Sequence, residues 1–213
     1  MKYNAISIVV MACVAMGSFS VNAAAPTAEI KIKGELDAPT CTVALGLNNS
    51  GTIDLGKISP ALVKPSATTA LGERNVVLNA KCSADTFLNF TIIDNRESSV
   101  SLPGTQRFGL GHINGNGKIG YYEIKMNQAY VDGSSTGLFS SASESFSSLS
   151  EIKLTKGMRN GWSTGSGRQA IGKDFTALLI VQPYLGSSKD MGGAINDKAA
   201  LDGSATLSFA YGI

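Results

Sequence analysis

The sequence predicts an all-β protein, an immunoglobulin-like β-sandwich. Three observations carry this. About nine short β-prone runs are separated by Gly, Ser and Asn. No stretch has the apolar spacing of a helix of three turns. The end of the chain, Gly203–Ile213, alternates: Ala205, Leu207, Phe209 and Tyr211 share one parity, and Ser204, Thr206, Ser208 and Ala210 the other. Successive side chains of a strand point to opposite faces, so this end is a strand with one apolar face.

The earlier elements follow in order. Glu29–Leu36 (EIKIKGEL) alternates and reads as a first strand with one wet face; Pro39-Thr40 ends it before Cys41. Thr52–Gly56 reads as a second, short strand. Ser59-Pro60-Ala61-Leu62 has a capping serine followed by proline, the pattern of one helical turn. Arg74–Lys81 and Thr86–Ile93 read as two strands, followed by a turn at Asp94-Asn95-Arg96. Gln106–Gly111 and Ile119–Met126 are expected to form a hairpin across the glycine-rich run 112–118. Ser134–Ser150, rich in serine, reads as a loop or weak edge, and Glu151–Thr155 as a strand. Arg159–Arg168 reads as a loop around the only tryptophan, Trp162. Phe175–Tyr184 is apolar on both parities, as in a strand buried on both faces, and Gly186–Gly193 is a turn.

The first 23 residues read as an export signal. Lys2 gives a positive start, Ile6–Phe19 is apolar without charge, and Val21-Asn22-Ala23 offers a small-x-small cleavage site, with Ala25 as the alternative. The expected mature chain, 24–213, is a single domain. Lys2 is the only charge in the signal, so the net charge falls from +2 to about +1. Acidic and basic residues are interspersed, which argues against nucleic acid as a partner. Of three cysteines, Cys13 lies in the signal; Cys41 and Cys82 remain. In an exported chain the simplest reading is one disulfide, worth about 4 kcal/mol by loop closure, and the alternative is two separate buried thiols.

Chemistry is sparse. A Ser-His-Asp arrangement would have to use the single histidine, His112, which sits in the glycine-rich turn. Gly115-Asn-Gly117-Lys-Ile-Gly120 matches a dinucleotide-binding string, but strand-like Tyr121–Met126 follows it and not a helix. One histidine and two cysteines leave few zinc ligands. The sequence therefore reads as a non-enzyme with no metal and no cofactor. Tyr121, Tyr122 and Trp162 are the candidate ligand patch, suited to a glycan, with ordinary packing as the blander explanation.

Several stretches together resemble a bacterial chaperone–usher fimbrial subunit. They are Ile32-Lys-Gly34-Glu35, Pro39-Thr-Cys41, Thr52-Ile-Asp-Leu-Gly56, Val76–Cys82 and the terminal Ala205-x-Leu207-x-Phe209-x-Tyr211. The middle, from Asp94-Asn-Arg96 through Phe108-Gly-Leu-Gly111 to Tyr121-Tyr-Glu, is similar to an uncharacterised family of secreted, fimbrial-like enterobacterial proteins. The resemblance implies a pilin-type sandwich lacking one strand, filled first by a periplasmic chaperone and then by the N-terminal segment of another subunit. It implies that Ala205, Leu207, Phe209 and Tyr211 form the chaperone- and subunit-binding strand, and that Ala28 and Ile30 belong to the donor segment. Its partners would be the chaperone, an outer-membrane usher and other fimbrial subunits; its place would be the periplasm or a fimbrium at the cell surface, with a role in adhesion. The other expectation is a non-polymerising relative that binds a glycan or another ligand.

Overall fold

The structure, a computed structural model, describes residues 26–35, 38–46, 51–195 and 198–212. The expected signal segment and its cleavage site lie outside the described residues, as do Leu36 and Ile213. The chain divides into two units, 1–37 and 38–213. In the first, residues 26–35 contain neither strand nor helix, and Ile30 and Ile32 are 89% and 94% exposed. The strand expected from Glu29 is therefore absent over residues 29–35, although the alternation is there.

The second unit is built from strands, as expected. They are β1 (Cys41–Leu45), β2 (Thr69–Ala70), β3 (Arg74–Asp94), β4 (Phe108–Gly109), β5 (His112–Ile113), β6 (Gly117–Lys118) and β7 (Gly120–Val131). After these come β8 (Ser134–Ser135), β9 (Gly137–Ser141), β10 (Ile152–Lys153), β11 (Arg159–Gly165), β12 (Arg168–Gln169), β13 (Ile171–Leu185) and β14 (Ala205–Tyr211). Among the described residues the two helical pieces are single 3-10 turns. One is Pro60–Leu62, where the Ser59 hydroxyl accepts from the Ala61 N–H as its sequence predicts.

The main sheet runs β10-β7-β13-β3-β11-β12, all antiparallel, and curls over itself into an immunoglobulin-like sandwich. Strand β3 makes the curl possible. Its first half pairs with β1 and β13, from Cys82 opposite Cys41 to Arg74 opposite Val181. Its second half pairs with β14 and β11 in the other layer. The two strands expected here are thus one strand of 21 residues. Ser83, Ala84 and Asp85, which looked like a break, are the exposed residues where it crosses between layers.

The core lies between the layers. Leu78, Phe90, Phe108, Met126, Leu138, Trp162 and Phe175 are fully buried. Trp162 packs edge-on against Phe90 and Phe175, and its indole N–H donates to the Thr176 carbonyl at 2.9 Å. The segment 159–168 expected as a loop is strand β11 and the start of β12, with Trp162 at the centre of the core. The serine-rich stretch supplies β9, paired with β11, with buried Leu138 and Phe139. Cys41 and Cys82 form the expected disulfide, joining β1 to β3.

Candidate functional site

Strand β14 is the residue set around which a site can be built. It pairs with β3 along Ala205–Tyr211, and no other strand pairs with it among the described residues. Its second row of backbone groups is therefore an open edge, a template for another strand. The apolar face turns inward as the alternation requires, and Phe209 packs on Phe90 with ring centroids 5.1 Å apart. Yet Ala205, Leu207 and Phe209 are only half-buried, while Phe90 and Ile92, which pair with Phe209 and Leu207, are 0% and 2% exposed. Among the described residues β14 is thus less completely covered than the β3 residues it pairs with.

Beside it lies a groove of about 990 Å³. Ala205 and Leu207 of β14 line one part, with Leu201 just before them. Ile53, Leu55 and Ile58 line another. Ile124 of β7 and Leu179 and Val181 of β13 contribute from the opposite layer. Residues 52–56 were expected as a strand. They keep the alternation, with Ile53 and Leu55 half-buried and Thr52 and Asp54 exposed, but form no strand ladder among the described residues. The Asp54 carboxylate instead accepts from Gly56 N–H at 2.7 Å in a tight turn. Both elements flanking the groove therefore present an apolar row to it.

The two ends of β14 are fixed by side chains. At the far end, the Tyr211 hydroxyl accepts from the Cys41 N–H at 3.1 Å, and Asn89 donates to the Gly212 carbonyl at 3.0 Å. At the near end, Asn95 donates to the Ser204 and Thr206 hydroxyls, and Arg96 pairs with Asp202 at 2.6 Å. Buried Asp94 closes the turn by accepting from the N–H groups of Arg96 and Gly109. Beside it the Tyr122 phenol is pushed well above its ordinary range, by burial first and the Asp94 charge second.

The other candidates fall elsewhere. Tyr121 and Tyr122 are 5% and 7% exposed and Trp162 is 0%, so the three do not make a ligand patch. Tyr122 lies in the core against Phe108, whereas Tyr121 stacks on Tyr184 under the Arg107 guanidinium. Burial raises the Tyr121 phenol, with Arg107 opposing the shift. His112 lies 3.3 Å from the Ser98 hydroxyl through Nε2 and 3.3 Å from the Gly117 carbonyl through Nδ1. A carbonyl thus occupies the position where a triad would place its carboxylate. Gly115 and Asn114 provide left-handed residues for the β5–β6 hairpin, and β7 follows, so the glycine string opens no helix. Among the described residues no cluster of three metal-ligating side chains forms. Ala28 and Ile30 lie in the first unit and are exposed.

The family described as "Protein of unknown function (DUF1120)" matches residues 30–106. Over 151 residues the chain is 28% identical to Protein GltF of Escherichia coli (strain K12), a match covering 60% of this chain and 59% of the relative. The chain thus spans less than two thirds of that protein's length. The matched family segment holds the disulfide, the 52–58 groove lining and β3 with its closing turn.

Proposed function

We propose that the protein is an exported structural subunit of a chaperone–usher type fimbria, assembled by strand addition and serving adhesion. One observation carries the reading: β14 is an edge strand whose apolar face is half-uncovered beside a long apolar groove. An extended strand with alternating apolar side chains fits both needs at once. Its backbone completes the open edge of β14, and its side chains fill the groove. Each buried Ile, Leu or Val would contribute about 1.5–3 kcal/mol before ordering costs.

A periplasmic chaperone would supply that strand first and deliver the subunit to an outer-membrane usher. In the fibre, the N-terminal segment of another subunit would replace it. The segment around Ala28 and Ile30 has the required alternation, and its isoleucines are uncovered. A docking surface and a donor on different parts of one chain make head-to-tail contacts, which propagate into a fibre. Coexpression with a fimbrial chaperone tests this. A one-to-one complex that Leu207→Asp abolishes is expected; a chain that stays alone, or a complex indifferent to that substitution, overturns it.

A further inference from the structure

We infer that Asn95 and Arg96 are positioning residues that latch the near half of β14 in register before any strand enters the groove. The chain must reverse after β3 and, more than a hundred residues later, return beside it. The turn at 94–96 ties the two passages together. Asn95 N–H donates to the Ser204 carbonyl at 3.0 Å, and its side-chain amide donates to the Ser204 hydroxyl at 2.9 Å and the Thr206 hydroxyl at 3.0 Å. Arg96 holds the Asp202 carboxylate through Nη2 at 2.6 Å and reaches the Asp202 carbonyl through Nε at 3.3 Å. From the other side, Asp202 N–H donates to the Leu110 carbonyl at 3.1 Å.

The turn is itself fastened. Its Arg96 carbonyl accepts from the Ser99 N–H and hydroxyl, and that hydroxyl accepts from Gly111 N–H. Two glycines leave the space this needs: a Cβ at Gly109 would strike the Arg96 carbonyl, and one at Gly111 would strike Asp202. Thr206 and Ser208 face away from the groove, so Asn95 grips β14 from its polar side and leaves Ala205 and Leu207 free. An edge strand with half its apolar cover would otherwise fray. The latch keeps the docking edge formed, so an incoming strand does not have to wait for it.

Hydrogen exchange on the full chain, with no partner present, tests the latch directly. In Asn95→Ala and Arg96→Asp, amides of 204–210 should exchange about tenfold faster, while those of β7 and β13 change little. The charge-reversed pair Arg96→Asp with Asp202→Arg should recover protection, and Gly111→Ala should lose it with both latch side chains intact. Unchanged exchange across 204–210, or equal acceleration everywhere, overturns the inference. A second arm rests on the proposed docking: a peptide of residues 26–35 should associate about tenfold more slowly with Asn95→Ala, its dissociation unchanged. Equal association rates would remove the latch's role in docking. A peptide that binds no form counts against the docking reading alone, because the exchange result stands without it.

Discussion

The Tyr211 hydroxyl accepts a hydrogen bond from the Cys41 N–H at 3.1 Å. This bond joins β14, an edge of one layer, to β1, an edge of the other, at the residue where the disulfide starts. The Tyr211 ring is 47% exposed, so the hydroxyl is held by this bond more than by burial. Tyr211→Phe removes the acceptor and little packing. It should lower stability by about 1 kcal/mol, read as a small fall in the urea midpoint with an unchanged slope.

The disulfide spans 41 residues, and loop closure of that length constrains the unfolded chain strongly. Replacing Cys41 and Cys82 by alanine should cost about 2–5 kcal/mol. Urea unfolding with and without reductant checks this: wild type should shift to the mutant midpoint on reduction, and the mutant should not respond.

Trp162 is fully buried and hydrogen-bonded to Thr176. Acrylamide should quench its fluorescence weakly in the folded protein and strongly in urea. Trp162→Ala should cost about 3–5 kcal/mol through the cavity it leaves. Surface glycans should not alter the native emission, because no ring atom faces solvent.

Asp132 is a pH-dependent contact. Its carboxylate accepts from the N–H groups of Asp174 at 2.8 Å and Lys173 at 3.0 Å, where β13 bulges past β3. These bonds, Asp174 first, hold its carboxyl below the ordinary aspartate value of 3.8. A depressed folded pKa means the charged form stabilises the fold. That contribution is complete well above 3.8 and disappears as pH falls through the lower folded value. Wild type should therefore exceed Asp132→Ala in stability at neutral pH, and the charge-dependent part of the difference should fade below pH 3.8.

The all-β class, the disulfide, the Ser59 cap and the terminal strand were legible because each rests on local pattern. What was not legible depends on partners. The alternation at Glu29–Glu35 permits a strand, but a strand also needs a ladder, and none forms there among the described residues. The same holds for 52–56, where the side-chain pattern survives but no strand forms among the described residues. Around Trp162, Gly161 and Ser163 looked like loop residues. Gly161 is small because a Cβ there would press on Phe139 and the Leu88 carbonyl, a packing requirement that sequence does not display. The groove was expected only through resemblance, since its lining comes from segments more than a hundred residues apart. The Asn95–Arg96 latch had one visible trace, a polar turn after the most β-prone run, Thr86–Ile93.

The central claim is that β14 and its groove accept the N-terminal segment of another copy. Mixing two chains that each lack one half measures it: Ile30→Asp with Ile32→Asp spoils the donor, and Leu207→Asp spoils the groove. Each variant alone should be monomeric by light scattering, and their mixture should give dimers that grow no further, because only one productive contact remains. A mixture that stays monomeric at concentrations where wild type assembles would contradict the account, as would assembly by either variant alone.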